Sequence, residues 1–382
     1  VGKWHLAPNL LSVDWARRNG AQINKKGQAV PGASAVLAHY PRPQGFDDFF
    51  VGERDRYYAN YDLRGEPLRA AGEWRKEAGY RLDIQTDAAL AFIRRNRSRP
   101  FFLFLNYFAP HVPLVAPPKY LDRFPGEMPE RRRHALAMIS AMDDGVGRIM
   151  RLLRETGVEE NTLVVFTSDN GAPLRLTMPD ERPIDSFDGS WDGSLNTPWV
   201  GEKGMLSEGG VRVPMVWRWK GVLPAGMTYD QPVTALDIAS TAVAAAGLPA
   251  SEELDGVDIV PFLTGQQAGP PHDLLYWRFW SQAAVRSGKW KYLRAGGAYE
   301  FLFDLESPEH ELRNLIEEHP ETAQRLRAAL GTWTADLRPA GIPQQPLNDQ
   351  EARWYRHYFG AATPDAPTAR GGLPGNGGAR RR

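Results

Sequence analysis

Apolar positions along the chain recur with two different periods, and the two occupy different stretches. Residues 83–97, DIQTDAALAFIRRNR, bring Ile84, Ala88, Phe92 and Arg95 towards one face at helical spacing, which predicts a helix. The run FFLFLNYF (101–108) is continuously apolar and of strand length. Such runs predict a strand buried on both faces, and the prolines of APHVPLVAPPKY end it. Residues 130–156 hold the clearest helical period, with Ala135, Met138, Ile139, Met142, Val146, Ile149, Leu152 and Leu153 in phase and Gly157 as the stop. A second buried strand is predicted at 162–167, running into the loop of TSDNGAP, and a third within VRVPMVWRWKG (211–221). TALDIASTAVAAAG (234–247) reads as an amphipathic helix closed by glycine. From about 272 aromatic and polar residues alternate, with turn signals at Ser287-Gly288 and Gly296-Gly297, which predicts an antiparallel meander followed by a helix at 319–337. Residues 8–80 are rich in turn formers and predict long loops with short elements. The Pro/Gly-rich end, ATPDAPTARGGLPGNGGARRR, predicts disorder.

Strands alternating with helices, then a hairpin sheet, imply a large α/β domain carrying a small C-terminal α+β one. The expected division is 1–268, 269–340 and an extended or disordered tail over 341–382. Composition narrows the function. The 46 basic and 46 acidic residues cancel, so no global field favours nucleic acid or an acidic membrane. No apolar run approaches the roughly 20 residues that span a bilayer. The absence of cysteine excludes disulfides, thiolate metal sites and a cysteine nucleophile within these residues.

Four stretches carry candidate chemistry. In TSDNG (167–171), Asp169 and Asn170 follow a predicted buried strand, where open α/β sheets place ligands. Their oxygens suit calcium or magnesium, although Asp-Asn-Gly is also ordinary turn chemistry. In PHVP (110–113), His111 sits on a proline-stiffened loop and could protonate a leaving group, or be inert. In GEKGMLSEGGVRVP (201–214), glycines permit close approach of backbone to a ligand, and Lys203 is either an anion clamp or a solvated lysine. At the start, VGKWHL places Lys3 and His5 two residues apart, on the same side of an extended segment. The pair Asp143-Asp144 lies inside the predicted 130–156 helix, where neighbours diverge by about 100°, so a solvated role is expected rather than metal binding. Two lysines, two histidines and an oxygen metal site together make a pocket for a tetrahedral oxyanion ester.

GKWHL, GFDDFFVG (45–52), APHVPLVAPPKY, TSDNG, EKGMLSEGGVRVP, ALDIASTAVAAAG and LDGVDIVPFLTG (254–265) occur here in the order found in sulfatases of the arylsulfatase type. Over roughly residues 1 to 335 the chain resembles that family, part of the alkaline phosphatase-like superfamily. The resemblance implies a sandwich with a large, mostly parallel or mixed central sheet flanked by helices, plus a small C-terminal antiparallel sheet with a helix. It implies a sulfuric ester hydrolase acting on an aryl or carbohydrate sulfate. A phosphodiesterase or phosphonate hydrolase of the same superfamily, or a non-catalytic anion- or sugar-binding relic, is the alternative. By resemblance Asp169 and Asn170 are metal ligands for calcium, with magnesium second, and Lys203 clamps the sulfate. His111 contacts the sulfate and leaving-group oxygen as general acid, Lys3 holds the nucleophile and the sulfate, and His5 deprotonates the hydrated formylglycine.

That formylglycine arises in relatives from a C/S-x-P-S-R motif, which occurs nowhere in the 382 residues. The chain therefore reads as a sulfatase lacking its first hundred or so residues. It is expected to bind metal weakly, to be inactive alone and to expose an apolar sheet edge. Departures are modest: Ala7 follows GKWHL, Ala172 follows SDNG, and Ser240 stands where proline is frequent. The segment 174–200 is expected to set specificity. No membrane span or nucleic-acid partner is expected. Relatives are commonly exported, which makes a periplasmic or secreted location the family expectation.

Overall fold

A computed structural model describes residues 1–4, 6, 20–25, 34–176, 184, 191–337 and 347–360. Strands β1 (Phe50–Gly52), β2 (Arg56–Ala59) and β3 (Glu73–Lys76) form an antiparallel sheet in that order. Helix α1 (Arg81–Asn96) and helix α2 (Glu130–Glu155) pack on one another beside it. Both helices match their predicted spans to within two residues, because each carries an apolar stripe over more than three turns. Gly157 closes α2 with φ 72°, as its position predicts. Phe50, Tyr57, Tyr61, Ile84, Ala88, Ile93, Leu152 and Leu153 form the buried centre between sheet and helices.

Residues 1–3 enter this layer as an extended strip between β1 and the 101–108 run. Gly2 bridges in parallel to both Val51 and Asn106. Gly2 N–H donates to Phe50 O at 3.0 Å, and Gly52 N–H donates back to Gly2 O at 3.0 Å. On the other side Lys3 N–H donates to Asn106 O at 2.8 Å, and Asn106 N–H to Val1 O at 2.9 Å. Only glycine fits at position 2, since an added Cβ would stand 2.1 Å from Asn106 O and φ is +95°.

The 101–108 run departs from expectation. It is extended but bridges only at Asn106, and it is not buried on both faces: Phe102 is 58% and Phe104 46% exposed. Phe101 and Leu103 pack against the α1–α2 core, so one face is covered and the other bare. β4 (Val164–Thr167) pairs antiparallel with β5 (Met215–Arg218), and Phe166 and Val216 on it are also exposed. The strand predicted at 162–167 is therefore not buried on both faces either.

The C-terminal layer follows the predicted meander. Strands β6 (Leu275–Phe279), β7 (Gln282–Ser287), β8 (Trp290–Ala295) and β9 (Tyr299–Asp304) pair antiparallel in sequence order. Period-two alternation sends Val285, Tyr292 and Leu302 to one face, against Ala323, Leu326 and Leu330 of helix α5 (Pro320–Asp336). Ala284, Leu293, Phe301 and Phe303 go to the other, against Leu206 and Tyr355. Between β4 and this layer lie the one-turn helix α3 (Glu208–Val211) and helix α4 (Asp237–Ala245), the latter shorter than its predicted 234–247. The tail from 341 was expected to be extended, but helix α6 (Asp349–Phe359) forms there. Its reason is local: Asn348 accepts from the Gln350 and Glu351 N–H groups while the Glu351 side chain returns to Asn348 N–H.

The bare apolar strip generates a prediction. The 382-residue chain self-associates, and Phe102→Lys with Phe104→Lys raises the monomer fraction without lowering Tm, because both rings face solvent. Light scattering at matched concentrations reads the first, and thermal melting the second.

Candidate active site

Four separate segments bring their tips together. Lys3 follows the strip at Gly2, and its Nζ lies 5.3 Å from the Phe108 ring centroid. The His111 ring lies edge-on to the same phenyl at 5.3 Å. Helix α1 secures this loop from below. Arg81 donates to Pro113 O at 2.5 Å and stacks its guanidinium 4.3 Å over Phe108, while Gln85 Oε1 accepts from Phe108 N–H at 3.2 Å. Arg81 and Gln85 had no sequence signal beyond their place in the first turn of a helix.

Asp169 and Asn170 sit just past the end of β4, and Lys203 lies on the loop before α3. These two loops touch backbone to backbone. Lys203 N–H donates to Ala172 O at 3.0 Å, and Gly171 N–H to Gly210 O at 3.0 Å. A Cβ on Gly171 would stand 1.8 Å from Gly209 O, so the glycines of SDNG and SEGG are set by contact with one another. Asn196 locks the pair. Its Oδ1 accepts from Ala172 N–H at 2.8 Å, and its Nδ2 donates to Ala172 O at 3.0 Å and to Gly201 O at 2.9 Å. Farther along, Glu208 pairs with the fully buried Lys291 of β8 at 2.8 Å, which ties the loop to the C-terminal sheet.

The electrostatics show how closely these groups approach. Burial pushes the His111 imidazole down to about 4, with Lys3 and Lys203 lowering it further and Asp169 opposing them. Burial also lowers Lys203, while Asp169 and Asp192 favour its charged form and Lys3 disfavours it. Lys3, His111, Asp169 and Lys203 therefore share one field. Neither lysine makes an ion pair among the described residues. His111 Nδ1 lies 2.6 Å from Val112 O, a group that only accepts, so Nδ1 carries the proton and Nε2 of the neutral ring is bare. Asp192 joins the group unforeseen. Burial raises its carboxyl to about 6, against Ser194 N–H and the Lys203 charge.

His5 lies outside the described residues, as do 177–183 and 185–190 of the segment expected to set specificity. Asp144 is held by Arg123 at 2.8 Å on the open face of α2, the solvated role expected of it. The implied metal can be tested on the donors present. Asp169 is exposed, and the Asn170 amide donates to Gly171 O at 2.9 Å, leaving its Oδ1 as acceptor. Two hard oxygens fit a calcium or magnesium ion in kind. No group of three His, Cys, Asp or Glu side chains that could hold a metal occurs among the described residues, so the set is partial.

Comparison with known proteins gives the following. The Sulfatase family profile matches residues 15–248, and that of the N-sulphoglucosamine sulphohydrolase C-terminal region matches residues 198–336. An uncharacterized sulfatase, YdeN, of Escherichia coli is 33% identical over 245 residues, covering 62% of this chain and 40% of that protein. The N-acetylgalactosamine-6-sulfatase of Canis lupus familiaris is 31% identical over 271 residues, covering 66% and 48%. The chain spans about half the length of the curated relatives it matches. The crystal structure of Ps i-CgsB in complex with k-i-k-neocarrahexaose superposes with a TM-score of 0.68 at 26% identity, over 93% of this chain and 74% of that one.

Two outcomes are expected from the site's geometry. Asn196→Ala leaves the Ala172 and Gly201 backbone groups unpaired and lowers unfolding free energy by about 3 kcal/mol in urea denaturation. The second concerns pH. His111 binds its proton only near pH 4 when folded but at its ordinary value when unfolded, so the unfolded state holds more protons between the two. Stability from this residue is thus present above about pH 6.5 and falls as pH drops towards 4. His111→Phe flattens that slope, as measured by urea titrations across pH 4–7.

Proposed function

The chain belongs to the sulfatase family, and from that membership we propose that its cationic pocket is the oxyanion-binding side of a sulfuric ester hydrolase centre, acting on aryl or carbohydrate sulfates. One observation carries the reading. Lys3, His111, Asp169 and Lys203, from four separate segments, act on one another's charge at the tips of the sheet elements. Two ammonium groups without ion-pair partners among the described residues, beside an imidazole, are suited to a tetrahedral dianion. Charge stabilisation of this sort is the largest catalytic contribution in comparable reactions.

Each residue then has a task. Lys203, half desolvated, holds one sulfate oxygen with an ammonium whose field is little screened by water. Lys3, buried beside Phe108, contributes a second positive charge from the opposite wall. His111 faces the leaving-group oxygen through Nε2. With the pocket empty that nitrogen is unprotonated at neutral pH, because burial and two ammoniums oppose a third positive charge. A bound dianion reverses the balance, raising the imidazole's proton affinity where a general acid is needed. Asp169 and Asn170 hold part of a hard divalent cation, calcium first and magnesium second, which when bound polarises the ester oxygens. His5 takes the role the resemblance assigns it, as base towards formylglycine. Supporting a carbohydrate substrate are the relative named for N-acetylgalactosamine 6-sulfate and the likeness to Ps i-CgsB with its bound oligosaccharide.

Inorganic sulfate binding to the 382-residue chain tests the pocket. Calorimetry should give sulfate binding that weakens at least tenfold in Lys203→Ala, the loss expected for one charge-assisted contact. The His111 imidazole, followed by NMR, should titrate at higher pH with sulfate bound. Unchanged affinity in Lys203→Ala would remove the reading, and markedly tighter phosphate than sulfate binding would favour the phosphoryl alternative. Calcium should bind no more tightly than about 1 mM, the weak end of protein calcium sites, and 4-nitrophenyl sulfate should not turn over. Micromolar calcium affinity or measurable hydrolysis by this chain would contradict the partial ligand set and the missing nucleophile motif respectively.

A further inference from the structure

Lys203 is held by more than its own loop. On its N-terminal side stands Glu202, 0% exposed. One Glu202 oxygen accepts Arg175 N–H at 2.8 Å, and the other accepts the Tyr358 hydroxyl of α6 at 3.3 Å. Arg175 is one of few non-glycine residues with a left-handed backbone, φ 57°, a conformation that persists only where neighbours enforce it. On the C-terminal side stands Gly204. The Trp354 ring of α6 covers it so closely that a Cβ there would meet Cη2 at 2.7 Å.

Beneath both runs a buried amide. Gln282 of β7 donates to Gly204 O at 2.8 Å and accepts Leu206 N–H at 3.1 Å. Its oxygen also accepts the Tyr355 hydroxyl at 2.7 Å, and its nitrogen donates to Glu351 at 3.2 Å. Glu351, Trp354 and Tyr355 are each at most 2% exposed. Helix α6 thus lays four side chains on a short loop whose central residue is Lys203, and on the glutamine that fixes that loop's backbone.

We infer that α6 is a clasp on the Lys203 loop, and that Trp354, Tyr358 and Gln282 are positioning residues for the anion-binding ammonium. The proposal rests on the reading of Lys203 as an oxyanion clamp, and it adds where that clamp is set from. None of the three touches the anion. Their contacts hold the Glu202 carboxylate and the backbone at 204 and 206, on either side of Lys203, and so restrict where its side chain begins. A loop free to move would have to be ordered each time an anion arrives, and affinity falls by the cost of that ordering. Coupling of this kind is reciprocal: if docking of α6 favours the anion, the anion favours docking.

Hydrogen exchange with mass spectrometry on the 382-residue chain, with and without inorganic sulfate, tests this. Trp354→Ala should speed exchange of the 201–206 amides at least tenfold, while the α1 and α2 amides stay unchanged. Trp354→Phe should restore most of the protection. Tyr358→Phe, which removes a single oxygen and leaves packing intact, should weaken sulfate binding about threefold. In the wild type sulfate should slow exchange across 351–359, far from any contact with it. Unaltered 201–206 exchange in Trp354→Ala, or sulfate protection confined to 201–206, would overturn the clasp. Faster 201–206 exchange in Trp354→Ala without sulfate binding by the wild type would keep the clasp and remove the anion reading instead.

Discussion

The constraint on which the structure turns is that Lys3, His111, Asp169 and Lys203, from four segments, lie near enough to act on one another's charge. Burial, with the two ammoniums adding to it, disfavours a proton on His111. The scaffold must hold such groups together, with the Asp169 and Asp192 carboxylates offsetting part of the repulsion. Where the two loops meet, it does so with backbone contacts and the Asn196 amide. The Gly171–Gly209 contact, the Lys203 N–H bond to Ala172 O and the three Asn196 bonds leave the two loops no room to part. Removing charge repulsion by pairing each lysine would stabilise the fold and fill the site. On the proposed reading, an ammonium unpaired among the described residues is the form in which the pocket takes up an anion.

The two wings of the site are built on different principles. His111 and Lys3 rest on the α1–α2 layer, through Phe108, Arg81 and Gln85, where aromatic packing sets position. Lys203 rests on the C-terminal sheet, through polar groups withdrawn from water. These are the Gln282 amide and, further along, the Lys291 ammonium between Glu208 and Glu311 at 2.8 and 3.0 Å. A buried pair of that kind adds little net stability, since desolvation offsets most of the attraction. Its geometry is exacting, however, and it fixes where α3 begins. The C-terminal meander is thereby part of the site's support, not an appendage to it.

The bare edge on Phe102, Phe104, Phe166 and Val216 stands apart from this order. Leu103 and Val164 from the same strands reach the α1–α2 core, so the strands are anchored on one face only. An extended segment with an uncovered apolar face invites association with another chain.

Much was legible in the sequence alone. Periods of 3.6 and 2 located α1, α2, α5 and the β6–β9 meander, because each buries one face along several repeats. Short motifs marked Asp169, Asn170, His111, Lys3 and Lys203 as candidates, and the resemblance to sulfatases, not any one motif, supplied the roles expected of them. What the sequence did not carry was adjacency. Nothing local says that Asn196 spans two loops, that Arg81 braces the His111 turn, or that a buried carboxyl at 192 faces Lys203. Each depends on residues from different segments meeting by folding, 24 positions apart for Asn196 with Ala172 and 32 for Arg81 with Pro113. The 101–108 run misled for the same reason: its composition states that it is apolar, but only its neighbours decide how many of its faces are covered. Helix α6 lay inside a stretch whose composition suggested no structure. A capping box starts it, and burial of Trp354 and Tyr355 against a distant loop and sheet holds it. Composition and period fix what a segment can bury, and tertiary contact alone fixes against what.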